Sequence, residues 1–413
     1  MSQGFKYTTD SRNIERGAIY FALKGDNFNG NKYAIQAIRD GASYAVIDEE
    51  VGHDIKLIKV DNVLRFFQEV ANMQRRAFDI PVIAIAGSNG KTTTKNLVNA
   101  VLSKKFKTHV TAGNFNNHIG VPMTLLDMPQ ETEIAIIEIG TNHPGEIREL
   151  CKIVEPNFGL ITNIGKEHLE GFGSLEAVAK EESELYAYLH TNNGVVFVNA
   201  DDQWLTRMSK SLENKSNYAK SEFTEVNLVP SISFEYEGVA FNSSLMGDYN
   251  LDNIAAAIQI GQHFGVSLQD CAEAIASYTS ENNRSQIIVK GESTVWLDAY
   301  NANPTSMNKA LENFALLQQE KKYAVLGDMF EMGSQSETEH LEVLEFALSL
   351  PLEHIFLLGE RFKTASAGKN CTAFTDKALL MEALTEHSTP SSAFLIKGSR
   401  AMRMEDLLEA FHN

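Results

Sequence analysis

The chain has 413 residues and a formal net charge of −18 at pH 7. This acidity argues against broad contacts with nucleic acid or anionic lipid, because such binding depends on Lys and Arg neutralising phosphates. Hydrophobic residues make up 43% and charged residues 22%, which excludes a disordered or fibrous chain and, at this length, predicts two or three globular domains. The three isolated cysteines and the absence of a long apolar run favour a cytoplasmic enzyme with no membrane insertion.

The first eighty residues alternate short strand-like and helical runs. A strand is predicted over residues 19–23, and a loop rich in glycine and asparagine follows it, ending at Gly30. Such a loop is typical of a small binding module, although composition alone equally fits a plain connection. A helix is predicted over residues 64–78, and Asp79-Ile-Pro81 breaks it, which places a domain boundary near Pro81.

A phosphate-binding loop is predicted next. The string Val82-Ile-Ala-Ile-Ala-Gly-Ser-Asn-Gly-Lys-Thr-Thr-Thr94 runs from an apolar strand into a glycine-bounded loop, and Leu97 and Val101 continue it with helical spacing. Backbone N–H groups at the start of such a helix favour an anion. The glycine of the full pattern is replaced by Ile85, so the match is to a shortened form, and an ordinary turn is the alternative. The predicted nucleotide-binding residues of this loop are Gly87, Ser88, Asn89, Gly90, Lys91, Thr92 and Thr93, with Lys91 along the β/γ-phosphates and Thr92 toward Mg²⁺.

Two polar stretches follow the loop. Asn116 and Asn117 lie in a segment dense in asparagine and glycine, which fits either a substrate-orienting loop or a plain turn. Residues 133–140 predict a second buried strand that ends at Glu138. Because open α/β sheets place ligands at the carboxyl ends of their strands, Glu138 is a candidate Mg²⁺ ligand, with a solvated glutamate as the alternative.

A third strand is predicted over residues 158–162, and His168 follows it as a candidate metal ligand, although a lone histidine is more often structural. The helix after Ser174 carries an apolar stripe in which the completing position is Glu182. A buried, unpaired carboxylate costs several kcal/mol, so Glu182 should have a cation partner, and a second Mg²⁺ shared with His168 would be one.

At this point the chain resembles a known family, the muramyl peptide ligases of bacterial cell-wall synthesis. The resemblance spans the whole chain and is closest to the branch that adds D-alanyl-D-alanine, since the Asp-Asn-Pro-Arg string of the diaminopimelate-adding branch is missing. The motifs that carry it are Gly87-Ser-Asn-Gly-Lys-Thr-Thr93, Gly113-Asn-Phe-Asn-Asn-His-Ile-Gly-Val-Pro122, Glu138-Ile-Gly-Thr-Asn-His-Pro-Gly-Glu-Ile147, Asn163-Ile-Gly-Lys-Glu-His-Leu-Glu-Gly-Phe-Gly173, Asp298-Ala-Tyr-Asn-Ala-Asn-Pro-Thr-Ser-Met307, Leu326-Gly-Asp-Met-Phe-Glu-Met-Gly333 and Lys397-Gly-Ser-Arg400.

The resemblance implies an α/β fold of three domains: a small UDP-substrate-binding domain over residues 1–80, a central phosphate-loop ATPase domain with a parallel sheet over 81–285, and a Rossmann-like domain over 286–413. It also implies ATP, two Mg²⁺ ions, and the substrates UDP-N-acetylmuramoyl-tripeptide and D-alanyl-D-alanine, handled by a monomer. An acyl phosphate would form on the tripeptide and then be displaced by the incoming amine.

The resemblance further implies roles for individual residues. Thr92 and Glu138 would hold one Mg²⁺, and His168 with a neighbouring acid would hold the other. Asn117, with Asn116, would place the substrate, and the nucleotide would contact five residues beyond the loop: Asn253, Arg284, Asp298, Tyr300 and Asn301. The candidates in the N-terminal segment for the UDP-substrate are Ser11, Arg12, Lys24 and Phe28. Lys397 and Arg400 could join the closed site or be solvated.

One departure from the family pattern bears on the chemistry. Relatives carry an Ala-Lys-x-Lys-Gly-Glu run whose second lysine is carbamoylated, whereas this chain reads Ala179-Lys-Glu-Glu-Ser-Glu184. Glu182 stands at the modified position. We therefore expect it to supply as a fixed side chain, directly or through a bridging water, the negative oxygen that relatives obtain from CO₂.

Other readings of the chain remain open at this stage. A small-molecule kinase would share the phosphate loop but would not need the Tyr-Asn-Ala-Asn-Pro block, and a regulatory nucleotide switch would bind ATP without turnover. Within the family, addition of diaminopimelate or lysine and folyl-polyglutamate synthesis are the near alternatives.

Overall fold

The computed structural model describes residues 6–280, 283–291 and 293–411. Within these residues no helix combines the length and apolar character needed to cross a bilayer. The helices and strands form three α/β units in chain order, each built on its own sheet.

The first unit is built on a parallel sheet of order β1-β2-β5-β6, with β3 and β4 as a short antiparallel hairpin. Helix α2 begins after Asn62, whose side chain accepts the Arg65 N–H group, and the stripe of Val63, Phe67 and Ala71 is buried at helical spacing. The elements are β1 (Tyr7–Thr8), β2 (Ile19–Phe21), β3 (Lys24–Gly25), β4 (Phe28–Asn29), α1 (Ala34–Arg39), β5 (Tyr44–Ile47), β6 (Leu57–Lys59) and α2 (Val63–Arg76).

The second unit contains a six-stranded parallel sheet of order β12-β11-β10-β7-β9-β8, and a three-stranded antiparallel sheet, β13-β14-β15, beside it. Strand β7 is buried at all five positions, as expected for a central parallel strand covered on both faces. The elements are β7 (Val82–Ala86), α3 (Lys91–Leu102), β8 (Thr108–Val110), α4 (Gly120–Leu126), β9 (Ile134–Glu138), α5 (Glu146–Val154), β10 (Phe158–Ile161), α6 (Leu169–Phe172), α7 (Leu175–Thr191), β11 (Val195–Asn199), α8 (Gln203–Met208), β12 (Lys215–Tyr218), β13 (Thr224–Asn227), β14 (Ser233–Tyr236), β15 (Val239–Asn242), α9 (Asp248–His263) and α10 (Leu268–Ser277).

The third unit has a sheet of order β16-β17-β21-β18-β19-β20, parallel except for the edge strand β16. Helices α11 to α13 pack on one face, and α14 with two short 3₁₀ segments packs on the other. The elements are β16 (Gln286–Lys290), β17 (Ser293–Asp298), α11 (Pro304–Ala315), β18 (Lys321–Gly327), α12 (Ser336–Ser349), β19 (His354–Leu358), α13 (Glu360–Ala365), β20 (Thr372–Phe374), α14 (Lys377–His387) and β21 (Ser392–Lys397).

One core joins the first two units. Phe21 and Phe67 lie in the same buried cluster as Ala84 and Ile137 of the central sheet. The Arg75 guanidinium at the end of α2 donates to the carbonyls of Val154 and Glu155 in the second unit. Helix α2 therefore serves both units, and the limits of the three domains, predicted at residues 80 and 285, remain a prediction.

The predicted strands and helices of the first two units are confirmed, with differences at their ends. The strand predicted over residues 19–23 ends at Phe21, because the Leu23 N–H group bonds back to the Phe21 carbonyl. Strand β11 ends at Asn199, so Asp202 lies outside it. The Asp202 carboxylate instead accepts N–H groups of the first turn of α8 and caps that helix.

Candidate active site

A cavity of about 1100 Å³ lies between the second and third units at the carboxyl ends of β7, β9 and β10. This is where an open parallel sheet places its ligands. Its wall contains residues 88–93 of the predicted phosphate loop and, facing them, residues 298 and 300–303 of the third unit. The sequence-predicted site residues of the second and third units line it, except Gly87, Glu182 and Arg400.

The phosphate loop has the left-handed backbone that only glycine adopts easily. Gly87 (φ +113°) and Gly90 (φ +82°) flank it, and a Cβ on Gly87 would lie 2.4 Å from the Thr162 hydroxyl. The first bond of α3 runs from the Thr94 N–H group to the Gly90 carbonyl at 2.8 Å. The N–H groups of the helix start therefore have no acceptor in the described part of the chain and are available to an anion.

Lys91 lies folded back across the loop. Its ammonium donates to the Gly87 carbonyl and lies 3.6 Å from the Glu167 carboxylate. Burial alone would lower the pKa of Lys91, but the carboxylates of Glu167, Glu182 and Glu138 outweigh it, so the pKa is raised. Lys91 is therefore a stable cation that faces both the loop and the acids behind it.

Glu138, at the end of β9, is buried and held from two sides. Its Oε1 accepts from the Asn116 side-chain amide at 2.8 Å, and its Oε2 lies 3.4 Å from the Lys95 ammonium. Lys95 also donates to the carbonyls of Thr111 and Gly113 at 2.7 and 2.8 Å. The sequence analysis missed Lys95, although its position one turn after Lys91 on α3 places the two on the same face of the helix.

The two predicted substrate asparagines also build the site. Asn116 orients Glu138, and Asn117 accepts the N–H groups of Ile119 and Gly120 at the start of α4, at 3.1 and 2.9 Å. Both line the cavity. Their contact with a substrate stays a prediction.

His168 lies opposite the loop, with Glu167 beside it. The His168 Nε2 atom is 3.9 Å from Glu167 Oε2, and its Nδ1 atom is 2.7 Å from Glu331 Oε2 of the third unit. Glu167 is 4% exposed, and its Oε1 has no hydrogen-bond partner among the described residues. Glu167 therefore fits the unnamed acid expected beside His168, but its contact with a metal stays a prediction, and Glu331 is a residue that sequence reasoning missed.

The inward orientation predicted for Glu182 is confirmed, since the residue is 0% exposed. Its Oε2 accepts the Gly87 N–H group at 2.8 Å, and within the described ranges Oε1 has no partner. Burial, and then repulsion by Glu167, raises the pKa of Glu182 to about 8, although Lys91 and the Gly87 N–H group oppose this. Glu182 lies behind the phosphate loop, outside the cavity wall, and its contact with a metal stays a prediction.

Four of the five residues predicted to contact the nucleotide beyond the loop lie together in the cavity wall: Arg284, Asp298, Tyr300 and Asn301. The Arg284 guanidinium stacks on the Tyr300 ring at 3.6 Å. The Asp298 carboxylate pairs with Lys397, whose ammonium also donates to the Asn301 carbonyl at 3.2 Å. These side chains bring one face of the third unit to the cavity, and all of them line it.

Two further contacts hold the residues around the loop in place. Asn303 of the third unit donates its side-chain amide to Asn89 Oδ1 at 2.9 Å, and within the second unit the Asn253 Oδ1 atom accepts from the Thr94 hydroxyl at 3.0 Å. A Cβ on Gly90 would lie 2.7 Å from the same Asn253 oxygen. Asn253 therefore packs against the helix start, at the place where only a glycine fits.

The four candidates of the N-terminal segment lie outside the cavity wall. Lys24 pairs with Asp48 at 2.9 Å and with Glu49 at 3.0 Å. Phe28 stacks on a neighbouring tyrosine ring, with 5.5 Å between the ring centres, and both rings are nearly half-exposed. Arg12 pairs with Asp10 at the surface, and the Ser11 hydroxyl contacts the Tyr20 hydroxyl. The structure thus leaves their role in substrate binding a prediction.

The donor set at the cavity suits a hard cation. Buried carboxylate oxygens of Glu138 (Oε2) and Glu167 (Oε1) lack hydrogen-bond partners in the described chain, and the Thr92 hydroxyl lies in the same wall. No group of three metal-binding side chains is already close together among the described residues. Mg²⁺ commonly uses one or two carboxylates and completes its shell with water and substrate phosphates, so this arrangement fits it.

Comparisons with known proteins agree with this geometry. Three family models match in order: "Mur ligase family, catalytic domain" at residues 6–83, "Mur ligase middle domain" at 85–261, and "Mur ligase, glutamate ligase domain" at 283–400. Among curated proteins, the chain is similar to the UDP-N-acetylmuramoyl-tripeptide–D-alanyl-D-alanine ligases of Bacillus subtilis (32% identity, covering 97% of this chain and 92% of the relative) and Escherichia coli (34% identity, covering 98% and 92%).

Solved structures give the same result. MurF from Acinetobacter baumannii matches with a TM-score of 0.91 at 31% identity, over 98% of this chain and 92% of that chain. The MurF ligase from Thermotoga maritima, solved in complex with ADP, matches with a TM-score of 0.90 at 25% identity, over 98% and 97%. With all three domain models matched along it and relatives of above 30% identity covering nearly all of it, the chain belongs to the Mur ligase family.

Proposed function

We propose that the protein is an ATP-dependent ligase that joins D-alanyl-D-alanine to UDP-N-acetylmuramoyl-tripeptide in peptidoglycan precursor synthesis. One observation carries the proposal: a phosphate loop and two buried acids face, across one cavity, the segment around Tyr300 that a simple kinase would not need. The curated relatives that carry this activity by name cover nearly the whole chain.

The phosphate loop would hold the triphosphate of ATP. The N–H groups at the start of α3 and the Lys91 ammonium supply positive charge, and the Arg284 guanidinium, stacked on Tyr300, faces the same cavity. Asn253 and Asp298 would contact the adenosine, and both line the cavity. A carboxylate and a triphosphate repel each other, so holding them in line is most of the catalytic task.

Mg²⁺ would neutralise the phosphates and polarise the γ-phosphoryl group. Thr92 and Glu138 would hold one ion and His168 with Glu167 a second, and all four residues line the cavity. We assign Glu182 the carboxyl group behind the loop that stands in place of a carbamoylated lysine; its raised pKa leaves it largely protonated without ligands, and a bound cation would ionise it. Its hydrogen bond to Gly87 transmits its position to the loop backbone.

The proposed reaction has two steps. An oxygen of the tripeptide carboxylate bonds to the γ-phosphorus of ATP as the bond to ADP breaks. The amine of D-alanyl-D-alanine then bonds to the acyl carbon, inorganic phosphate leaves, and the amine loses a proton. Asn116 and Asn117, beside Glu138, would orient the acceptor, and Ser11, Arg12, Lys24 and Phe28 would hold its UDP end on the first unit.

Because it would use ATP and a UDP-linked substrate, we propose that the enzyme acts in the cytoplasm. We also propose that it acts as a monomer. The net charge of −18 is unfavourable for nucleic acid as a partner.

The decisive test is phosphate release by the purified protein with ATP, Mg²⁺ and UDP-N-acetylmuramoyl-tripeptide, comparing D-alanyl-D-alanine with D-alanine, L-lysine and diaminopimelate, and identifying the product by mass. We expect release and amide formation only with the dipeptide. Equal use of a single amino acid would instead indicate another branch of the family. A phosphorylated product accumulating without any amine would indicate a kinase, and tight ATP binding without turnover a nucleotide switch.

A further inference from the structure

The candidate metal-binding histidine is held by a residue from another unit of the protein. His168 lies between β10 and α6 of the second unit, and Glu331 lies after β18 of the third. The His168 Nδ1 atom and Glu331 Oε2 are 2.7 Å apart, and both residues line the cavity. This contact spans the boundary between two units at the site of the proposed chemistry.

The hydrogen bond to Glu331 determines which nitrogen of the His168 ring carries the proton. An ionised carboxylate only accepts hydrogen bonds, so the proton of the pair lies on Nδ1 of His168. In the neutral ring the lone pair is then on Nε2, the nitrogen that faces the Glu167 carboxylate at 3.9 Å.

Both partners have backbones that hold this arrangement. His168 (φ +45°) and Glu331 (φ +65°) are non-glycine residues in the left-handed region, which is uncommon and tends to occur at functional positions. The Glu331 carbonyl accepts the Glu170 N–H group at 3.0 Å. A Cβ on Gly333 would lie 3.0 Å from the Glu170 Cα atom, so the segment packs directly on α6.

We propose that Glu331 is a positioning residue that orients His168 and keeps its Nε2 lone pair directed to a divalent cation, so that this cation site is complete only when the third unit is docked on α6. Metal-ligating histidines almost always donate their other N–H group to a carboxylate, a backbone carbonyl or water, and mutating that partner typically costs 10- to 100-fold in metal affinity or activity. The role of this cation in catalysis rests on the proposed function, but the protonation of the His168 ring can be measured without turnover.

The test compares three variants. Glu331→Ala removes the acceptor, and Glu331→Gln keeps an acceptor oxygen without the charge. Gln335→Ala is the matched control, because Gln335 also bonds from the third unit to the region of α6, through its side-chain amide to the Gly173 carbonyl at 2.7 Å, but does not contact His168. Two readouts are measured: the tautomer of the His168 ring by ¹⁵N NMR at about pH 9, where imidazoles are neutral, and the Mg²⁺ concentration giving half-maximal phosphate release.

We expect the His168 proton on Nδ1 in the wild type, in Glu331→Gln and in Gln335→Ala, with a shift toward Nε2 in Glu331→Ala. The His168 signal is assigned by its loss in His168→Gln. The Glu331 side chain is 51% exposed, so water competes for the bond, and we expect the Mg²⁺ requirement of Glu331→Ala to rise about tenfold, at the lower end of the usual range. Glu331→Gln should recover most of this loss.

Two results would overturn the proposal. One is an unchanged tautomer and an unchanged Mg²⁺ requirement in Glu331→Ala. The other is an equal rise in Gln335→Ala, which would mean that only docking of the third unit matters. If the wild type makes no amide product, the proposed function fails, while the tautomer measurement still decides whether Glu331 positions His168.

Discussion

The buried pair of Lys95 and Glu138 allows a sharp test of how the acid at the end of β9 is held. Both residues are 1% exposed, and their charged atoms are 3.4 Å apart. In Lys95→Met a flexible apolar chain of similar length replaces the ammonium. The Glu138 carboxylate then keeps only the Asn116 amide, and Oε2 is left charged and buried.

The structure sets the size of the effect. Removing one partner of a buried ion pair typically lowers the free energy of unfolding by about 3–5 kcal/mol. Lys95→Met also removes the hydrogen bonds to the carbonyls of Thr111 and Gly113, so we expect a loss in the upper part of that range. Glu138→Gln should cost less, about 1–3 kcal/mol, because those two carbonyls still hold the ammonium. In the double variant no buried charge remains, so its loss should be smaller than the sum of the single losses by about 2 kcal/mol.

The assay is urea unfolding of the ligand-free protein, in the presence of a chelator. Three units need not unfold together, so a probe confined to the second unit is required. The chain has two tryptophans, Trp204 in α8 and Trp296 in β17, and a Trp296→Phe background leaves Trp204 fluorescence as that probe. Losses that add to within about 0.5 kcal/mol would show that the two charges do not interact, and would refute the reasoning.

Three further outcomes are expected. Amide formation should not depend on bicarbonate, because Glu182 is already an acid; a clear dependence would contradict this and point to carbamoylation of Lys180. Arg284→Lys should raise the KM for ATP about tenfold by losing the planar stack on Tyr300, whereas Arg207→Lys, which loses a similar stack on a tryptophan outside the cavity, should leave KM unchanged. Glu182→Gln should stabilise the ligand-free protein at pH 7 by about 3 kcal/mol. The pKa of Glu182 is about 8 in the folded protein, against the usual 4.5, so the folded state binds the proton more tightly than the unfolded state does. The stability of the wild type therefore falls as the pH rises from 4.5 to 8, whereas the glutamine of the variant does not titrate. Urea midpoints at pH 5 and pH 8 check this, and equal midpoint shifts at the two values would contradict it.

Local patterns account for what the sequence predicted well. The strand over residues 82–86 and the helix start at Lys91 follow from an apolar run and a glycine-bounded loop that are contiguous in the chain. The inward position of Glu182 followed from helical periodicity alone. Each of these signals lies within about one or two turns of the residue it describes, so no knowledge of the tertiary structure was needed.

The residues that sequence reasoning missed depend on partners far away in the chain. Lys95 is a polar residue on a predicted helix until β9 brings Glu138 beside it. Glu331 belongs to a quoted motif, but its contact with His168 exists only when the second and third units meet. The N-terminal candidates show the same limit, because the local sequence around Lys24 does not indicate how far this residue lies from the phosphate loop in the folded protein.

Glu182 is connected to the phosphate loop through Gly87. The Gly87 N–H group donates to Glu182, while the Gly87 carbonyl accepts from Lys91, so one residue of the loop links the buried Glu182 carboxyl group to the Lys91 ammonium. If Lys91 turns toward a bound phosphate, Glu167 loses its cation at 3.6 Å, and the negative charge of Glu167 beside Glu182 is no longer balanced. A divalent cation arriving with the nucleotide would restore that balance. We therefore expect nucleotide and cation to bind cooperatively, with Lys91 as the exchanged charge.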